Sequence, residues 1–167
     1  MTLEIRKAKK AEINLAFELL KEAAEWLNEK DIDYWQAWHD PPDKYKEWIE
    51  RGFENEQFYF AEKKDEIVGM FRLQFSDEMF WGKMKDKAGY IHSLTTKRSL
   101  AGCGIGEEIL NYIEKMLLSK SINLIRLDCG ADNKGLCSYY ENIGFEKVGQ
   151  TNVDGEKLIL YEKEITE

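Results

Sequence analysis

The stretch LAGCGIGEEIL, residues 100–110, sets glycines at 102, 104 and 106 directly before a segment with helical spacing. Glycine is the poorest helix former after proline, so a run of them marks a connection where the backbone takes unusual torsions or lets something come close. The first turn of a helix presents N–H groups without partners and a partial positive charge. A phosphate placed there accepts several hydrogen bonds at once. The stretch therefore reads either as a phosphate cradle or as a flexible strand-to-helix turn, and the glycines alone leave both open.

Working outward, AGYIHSLTT (88–96) has strand composition, and Ile105, Ile109, Tyr112, Ile113 and Met116 give the following helix a buried stripe. INLIRLDC (122–129) reads as the next strand, and NKGLCSYYENIG (133–144) as a helix stopped by Gly144. FEKVGQ (145–150) and EKLILYEKE (156–164) read as a terminal antiparallel pair. Toward the N-terminus, LEIRKA (3–8) is a short strand, and Ile13, Phe17, Leu20, Ala24 and Leu27 share one face of a helix. A loop follows over 32–42, then a helix over 43–52 with Gly52 as its stop. QFYFAEK (57–63) and EIVGMFRLQF (66–75) make a hairpin, and 76–87 is a charged loop carrying Phe80 and Trp81. The expected class is α+β, or mixed α/β. It has a central, mostly antiparallel sheet of about seven strands, about four flanking helices, and the order βααβββαβαββ in a single domain over 1–167.

Three phosphate ligands compete for the glycine turn. A nucleotide P-loop needs GxxxxGK[ST], and GCGIGEE has neither the lysine nor the hydroxyl. A dinucleotide fingerprint fits the strand–glycine–helix–strand order, with Asp128 ending the second strand. Its spacing is GxGxxG, whereas this chain has GxGxG, and Lys97–Ala101 intervene between the strand and Gly102.

The third ligand is coenzyme A. AGCGIG at 101–106 is similar to the signature Arg/Gln-x-x-Gly-x-Gly/Ala of the GNAT (GCN5-related) N-acetyltransferase family, with Gly102, Gly104, Ile105 and Gly106 matching. Ala101 stands where that family carries a basic or amide residue, and Arg98 is near enough in sequence to substitute for it. A second segment resembles the family independently: NKGLCSYYENIGF places Asn133, Tyr140, Gly144 and Phe145 in register. The dinucleotide reading explains none of these four.

The resemblance implies acetyl transfer from acetyl-CoA, the cosubstrate, to a primary amine of a small molecule, by direct attack in a ternary complex. It implies that the strand holding Leu94 and Thr96 splays from the strand at 122–129 and pairs its backbone with pantetheine. It further implies that Ala101, Gly102, Cys103, Gly104, Ile105 and Gly106 hold the pyrophosphate, that Asn133 bonds the pantetheine arm, and that Tyr140 protonates the departing sulfur. Core packing is the competing role for Tyr140, because Leu136, Tyr140 and Ile143 share a helical face.

The chemistry also needs a base, since a free alkylamine has a pKa of roughly 10. His92 shares a strand face with Leu94 and titrates in a useful range. Glu78 and Asp77 are its rivals, and Asp128 is either a strand-end carboxylate or a partner of the amine. Trp35, Trp38 and Trp81 are candidates to line an acceptor pocket, since aromatic faces hold cationic amines. The alternative role for Trp35 and Trp38 is apolar cover for the sheet. Two other functions remain open: a non-catalytic acyl-CoA sensor or interaction module on the same fold, and a dinucleotide-dependent oxidoreductase.

Composition narrows the partners. The 167 residues are 43% apolar and 34% charged, with eight Phe, eight Tyr and five Trp, which is the make-up of a folded globular chain. The net charge of -8 disfavours nucleic acid and mildly favours a cationic substrate. Cys103, Cys129 and Cys137 form no CxxC pair, so neither a disulfide framework nor a metal site is expected. Reduced thiols, with no signal-peptide core and no membrane-length apolar run, suggest a cytoplasmic protein with no membrane partner. A homodimer is compatible with the resemblance.

Overall fold

The computed structural model describes residues 2–167. Seven strands and five α-helices follow one another as β1 (Glu4–Lys7), α1 (Ile13–Glu29), α2 (Asp43–Glu54), β2 (Phe58–Lys63), β3 (Glu66–Gln74), α3 (Glu78–Trp81), β4 (Gly89–Thr96), α4 (Ile105–Ser119), β5 (Leu124–Gly130), α5 (Lys134–Asn142), β6 (Glu146–Val153) and β7 (Glu156–Glu164). The sheet order is β1-β2-β3-β4-β5-β7-β6. Pairing is antiparallel for β1–β2, β2–β3, β5–β7 and β6–β7, and parallel for β4–β5. This is the mixed α/β architecture expected from the sequence. The fifth helix is α3, a single turn inside what reads as a charged loop.

The chain forms two compact units, one of residues up to Leu73 with Ser93–Tyr112, the other of Gln74–His92 with Ile113–Glu167. In the first, α1 and α2 bury Leu19, Leu20, Ile49 and Phe53 against Phe58, Phe60 and Met70 of the β2–β3 hairpin. The hairpin turns at Lys64 and Asp65, both with positive φ (51° and 65°), the torsions a two-residue turn between twisted strands requires. Arg72 is buried among these apolar residues. Its guanidinium lies 4.1 Å from the Trp48 ring centroid and donates to Gln57 Oε1 (2.9 Å) and the Trp48 carbonyl (3.0 Å).

Two expectations are corrected here. Helix α2 does not stop at Gly52 but runs through it to Glu54. Gly52 is a packing residue, since a Cβ there would lie 2.3 Å from Phe58 Cε2. On α4, Tyr112 is 38% exposed, while Leu110 and Leu117 are buried with Ile105, Ile109 and Ile113.

In the second unit, β5 and β7 pair along seven positions, from Leu124–Glu164 to Gly130–Leu158. Helix α5 is capped by Asn133, whose side chain accepts from the Leu136 N–H, and the chain leaves it through Gly144. Tyr140 and Phe145 meet edge to face, with centroids 5.6 Å apart, next to Tyr161 of β7. The parallel β4–β5 ladder comprises two positions among the described residues, Gly89–Ile125 and Tyr90–Arg126.

Candidate active site

Alternation along two neighbouring strands sets up a polar row in the second unit. Tyr90 and His92 point to one face of β4, and Arg126 and Asp128 to one face of β5, because side chains two apart share a face. The parallel register Tyr90–Arg126, carried two residues on, brings His92 beside Asp128. The segment between β3 and β4 covers this row. Asp77 and Phe80 meet His92, and Trp81 and Asp86 meet Arg126.

At the Arg126 end, Nε donates to Glu162 (2.7 Å), Nη1 to the Tyr90 hydroxyl (2.8 Å) and Nη2 to Asp86 (3.1 Å). The Trp81 ring lies 5.2 Å from the guanidinium and edge-on to Tyr90. This half is a satisfied ion cluster.

The His92 end differs. His92 Nε2 lies 2.7 Å from Asp77 Oδ2, and Nδ1 lies 3.6 Å from Asp128 Oδ2. The Asp77, His92 and Asp128 side chains are 5%, 8% and 9% exposed. Phe80 closes over the ring, with centroids 4.6 Å apart. Asp128 Oδ2 and Trp81 Nε1 are buried without a hydrogen-bond partner among the described residues. Such atoms are rare in folded proteins and call for an explanation. Burial pushes the Asp128 carboxyl up to about 6. The His92 ring opposes the rise and Asp77 adds to it. After Asp77, His92 and Asp128, no other described residues form a group able to offer three metal-ligand atoms.

Tyr140 is buried on α5, and its hydroxyl is held protonated far above the usual phenol range. Burial is the main cause, with smaller contributions from Cys129, Tyr139 and the Asp128 carboxylate. The Cys129 and Cys137 sulfurs are 2.7 Å apart as free thiols. Asn133 is buried, with its Oδ1 on the Leu136 N–H at 3.3 Å.

In the first unit, Ala101, Gly102, Cys103 and Gly104 are exposed ahead of α4. Gly102 and Gly104 have φ of +81° and +80°, and a Cβ added at either would meet no atom within 4 Å. The Glu108 N–H bonds the Gly104 carbonyl and opens the helical ladder, so the amides of Ile105, Gly106 and Glu107 precede any i−4 carbonyl within the helix. Thr96 and Leu94 are partly buried on β4, after the positive φ of Ser93 (53°). The Thr96 carbonyl accepts from Arg98 Nε at 2.9 Å, and the Arg98 guanidinium lies 5.2 Å from the Trp26 ring centroid. Arg98 is thus engaged with its own unit.

Trp35 and Trp38 pack against the apolar core of the first unit, with Trp35 stacked on Tyr34 at 5.5 Å. Such packing is what the sheet-cover role requires. Glu78 is exposed at the start of α3, and its neighbour Asp77 is the carboxylate turned to His92. Asp77, which the sequence offers alongside Glu78 as a rival to His92, and Asp128 are the groups that meet the imidazole. The only signal for Asp128 was its place at a strand end.

A sequence model of the Acetyltransferase (GNAT) family matches residues 20–145, and the chain belongs to that family. It is 30% identical over 153 residues to the uncharacterized N-acetyltransferase YesJ of Bacillus subtilis, covering 89% of this chain and 82% of that protein. A GNAT-family acetyltransferase structure from Listeria monocytogenes superposes with a TM-score of 0.77 at 25% identity, covering 98% of this chain and 95% of that one. The PaiA N-acetyltransferase of Thermoplasma acidophilum, solved in complex with coenzyme A, has the same fold, with a TM-score of 0.70 at 23% identity over 99% of this chain and 100% of that one. No helix among the described residues is long and apolar enough to cross a membrane.

Proposed function

We propose that this protein transfers the acetyl group of acetyl-CoA to the primary amine of a small molecule, by direct attack in a ternary complex. The observation that carries the reading is that one unit of a GNAT-family chain holds both kinds of group the reaction needs. The buried Asp77–His92–Asp128 set accepts protons, and Tyr140 is kept protonated in electrostatic reach of Asp128. Acetyl-CoA supplies an activated acyl carbon and a thiolate leaving group. The residues at 101–106 fit its pyrophosphate: the space beside Gly102 and Gly104 is open where side chains would stand, and the first amides of α4 follow directly. The complex of the PaiA protein with coenzyme A agrees with this choice.

Within that reading, the backbone of Leu94 and Thr96 lines the pantetheine arm, and Asn133 adds its amide donors. The proton-accepting set takes a proton from the ammonium, and the Tyr140 hydroxyl gives one to the sulfur. Trp81 borders the acceptor side, its ring already against a cation.

The test follows thiol release from acetyl-CoA across a panel of primary amines. Turnover of at least one amine is expected, and Tyr140→Phe should slow it at least tenfold while acetyl-CoA still raises the melting temperature. Acetyl-CoA binding with no thiol release from any amine would instead support the sensor reading.

A further inference from the structure

His92 is the residue of the site whose ordinary titration range best suits a base, yet neither of its nitrogens is turned to a substrate. Nε2 faces Asp77 at 2.7 Å and Nδ1 faces Asp128 at 3.6 Å, while Phe80 covers the ring. An amine reaching the imidazole would have to displace a carboxylate. The 3.6 Å separation is too long for a hydrogen bond, and Asp128 Oδ2 has no other hydrogen-bond partner among the described residues. A carboxylate oxygen enclosed to this degree needs a donor or a proton.

Resting on the acetyltransferase reading, we infer that Asp128 is the base that takes the proton from the acceptor amine, and that His92 and Asp77 are positioning residues behind it. Each imidazole nitrogen faces one carboxylate, Nε2 toward Asp77 and Nδ1 toward Asp128.

Asp77 and Asp128 both face the imidazole, whose charge when protonated holds the Asp128 carboxyl lower than burial alone would. In the step itself the amine N–H bond breaks and an O–H bond forms on Asp128. The nitrogen lone pair attacks the thioester carbonyl carbon, the C–S electron pair leaves with sulfur, and sulfur takes a proton from Tyr140. The second N–H proton, released from the nitrogen as the amide forms, restores Tyr140, and Asp128 sheds the captured one to solvent, so that of the two protons the ammonium loses one is kept by the thiol and one is released. The charged and titratable groups around Asp128 are His92 on β4, Asp77 before α3, Tyr140 on α5 and its chain neighbour Cys129. Desolvation holds the Asp128 carboxyl near 6, which suits a base working at neutral pH.

The experiment is kcat/KM against pH for the amine turned over best, with wild type, Asp128→Asn, Asp128→Glu and His92→Gln. Wild type should lose activity on the acid side as Asp128 protonates. Asp128→Asn should lose about 100-fold or more and lose the acid limb, while keeping the thermal shift with acetyl-CoA. Asp128→Glu should recover part of the rate and the limb, and it serves if the asparagine variant does not fold. His92→Gln should keep the limb and move it to higher pH, since the imidazole holds the Asp128 value down. Wild-type rate and limb in Asp128→Asn, or loss of the limb in His92→Gln alone, would overturn the assignment and leave the acetyltransferase reading standing. Loss of rate on chelation, restored by a divalent cation, would overturn it in favour of a metal. A wild type that turns over no amine would sink the acetyltransferase reading first, and this assignment with it.

Discussion

Arg126 and Glu162 are direct partners in the β5–β7 ladder, and their side chains meet at 2.7 Å. The guanidinium is 1% exposed, so its charge is tolerated only because Glu162, Asp86 and the Tyr90 hydroxyl surround it. Removing it would strand the Tyr90 hydroxyl and Glu162 and leave a hole beside Trp81. Arg126→Ala is expected to destabilise the protein by about 3–5 kcal/mol, measured by urea unfolding. A loss below 1 kcal/mol would show that the cluster adds little to stability.

Gly52 and Gly135 both lie inside helices but differ in their surroundings. A Cβ at Gly52 would sit 2.3 Å from Phe58 Cε2 and 2.9 Å from Arg72 Nε, whereas one at Gly135 would meet nothing within 4 Å. Alanine should gain roughly 1 kcal/mol from helix propensity at either site. At Gly52 that gain is outweighed by overpacking of about 1–3 kcal/mol or more. Gly52→Ala should therefore lower the melting temperature and Gly135→Ala raise it. The same sign for both would refute the packing role of Gly52.

The difference between these glycines explains what could be read from the chain and what could not. Strand alternation, helical stripes and the glycine turn are local patterns, and they gave the element order, because each element buries one face at its own period. Gly52 looked like a stop because its role depends on Phe58 and Arg72, which reach it only through tertiary packing. Tyr112 fits the helical period of α4 but lies at the margin of the stripe, so it is exposed. The site divides in the same way. The segments 101–106 and 133–145 are contiguous motifs and were legible. His92 and Asp128 are separated by a whole helical crossover, and only the parallel register beside Tyr90–Arg126 makes them neighbours. Asp77 was ranked alongside Glu78 because nothing in adjacent residues says which carboxylate a turn directs inward.

The glycine turn gives a test of the cosubstrate site. Gly104 has φ +80° with open space around it, so alanine there meets no clash and pays only for the left-handed torsion. That cost is about 1–2 kcal/mol. If the opening admits a phosphate, the added methyl group also narrows its approach. Gly104→Ala should weaken acetyl-CoA binding by roughly tenfold, about 1.4 kcal/mol, in isothermal titration. Unaltered affinity in a folded variant would remove Gly104 from the pyrophosphate site.

Asp128 links the site to stability, and the sign can be worked out. Its carboxyl ordinarily titrates at 3.8 and in the folded protein at about 6. Between those values the folded state holds a proton that the unfolded chain has released. Stability must therefore fall as pH rises through this window, and the full penalty applies above it. A displacement of that size corresponds to about 3 kcal/mol. Asparagine cannot ionise, so Asp128→Asn should be more stable than wild type at pH 7.5 by up to that amount. At pH 4 most of the advantage should be gone, because the wild-type carboxyl is then protonated in the fold. Urea unfolding of both proteins at the two pH values measures the difference. An equal gain at both would mean that packing rather than ionisation sets the effect, and that the buried carboxylate carries no charge penalty at neutral pH.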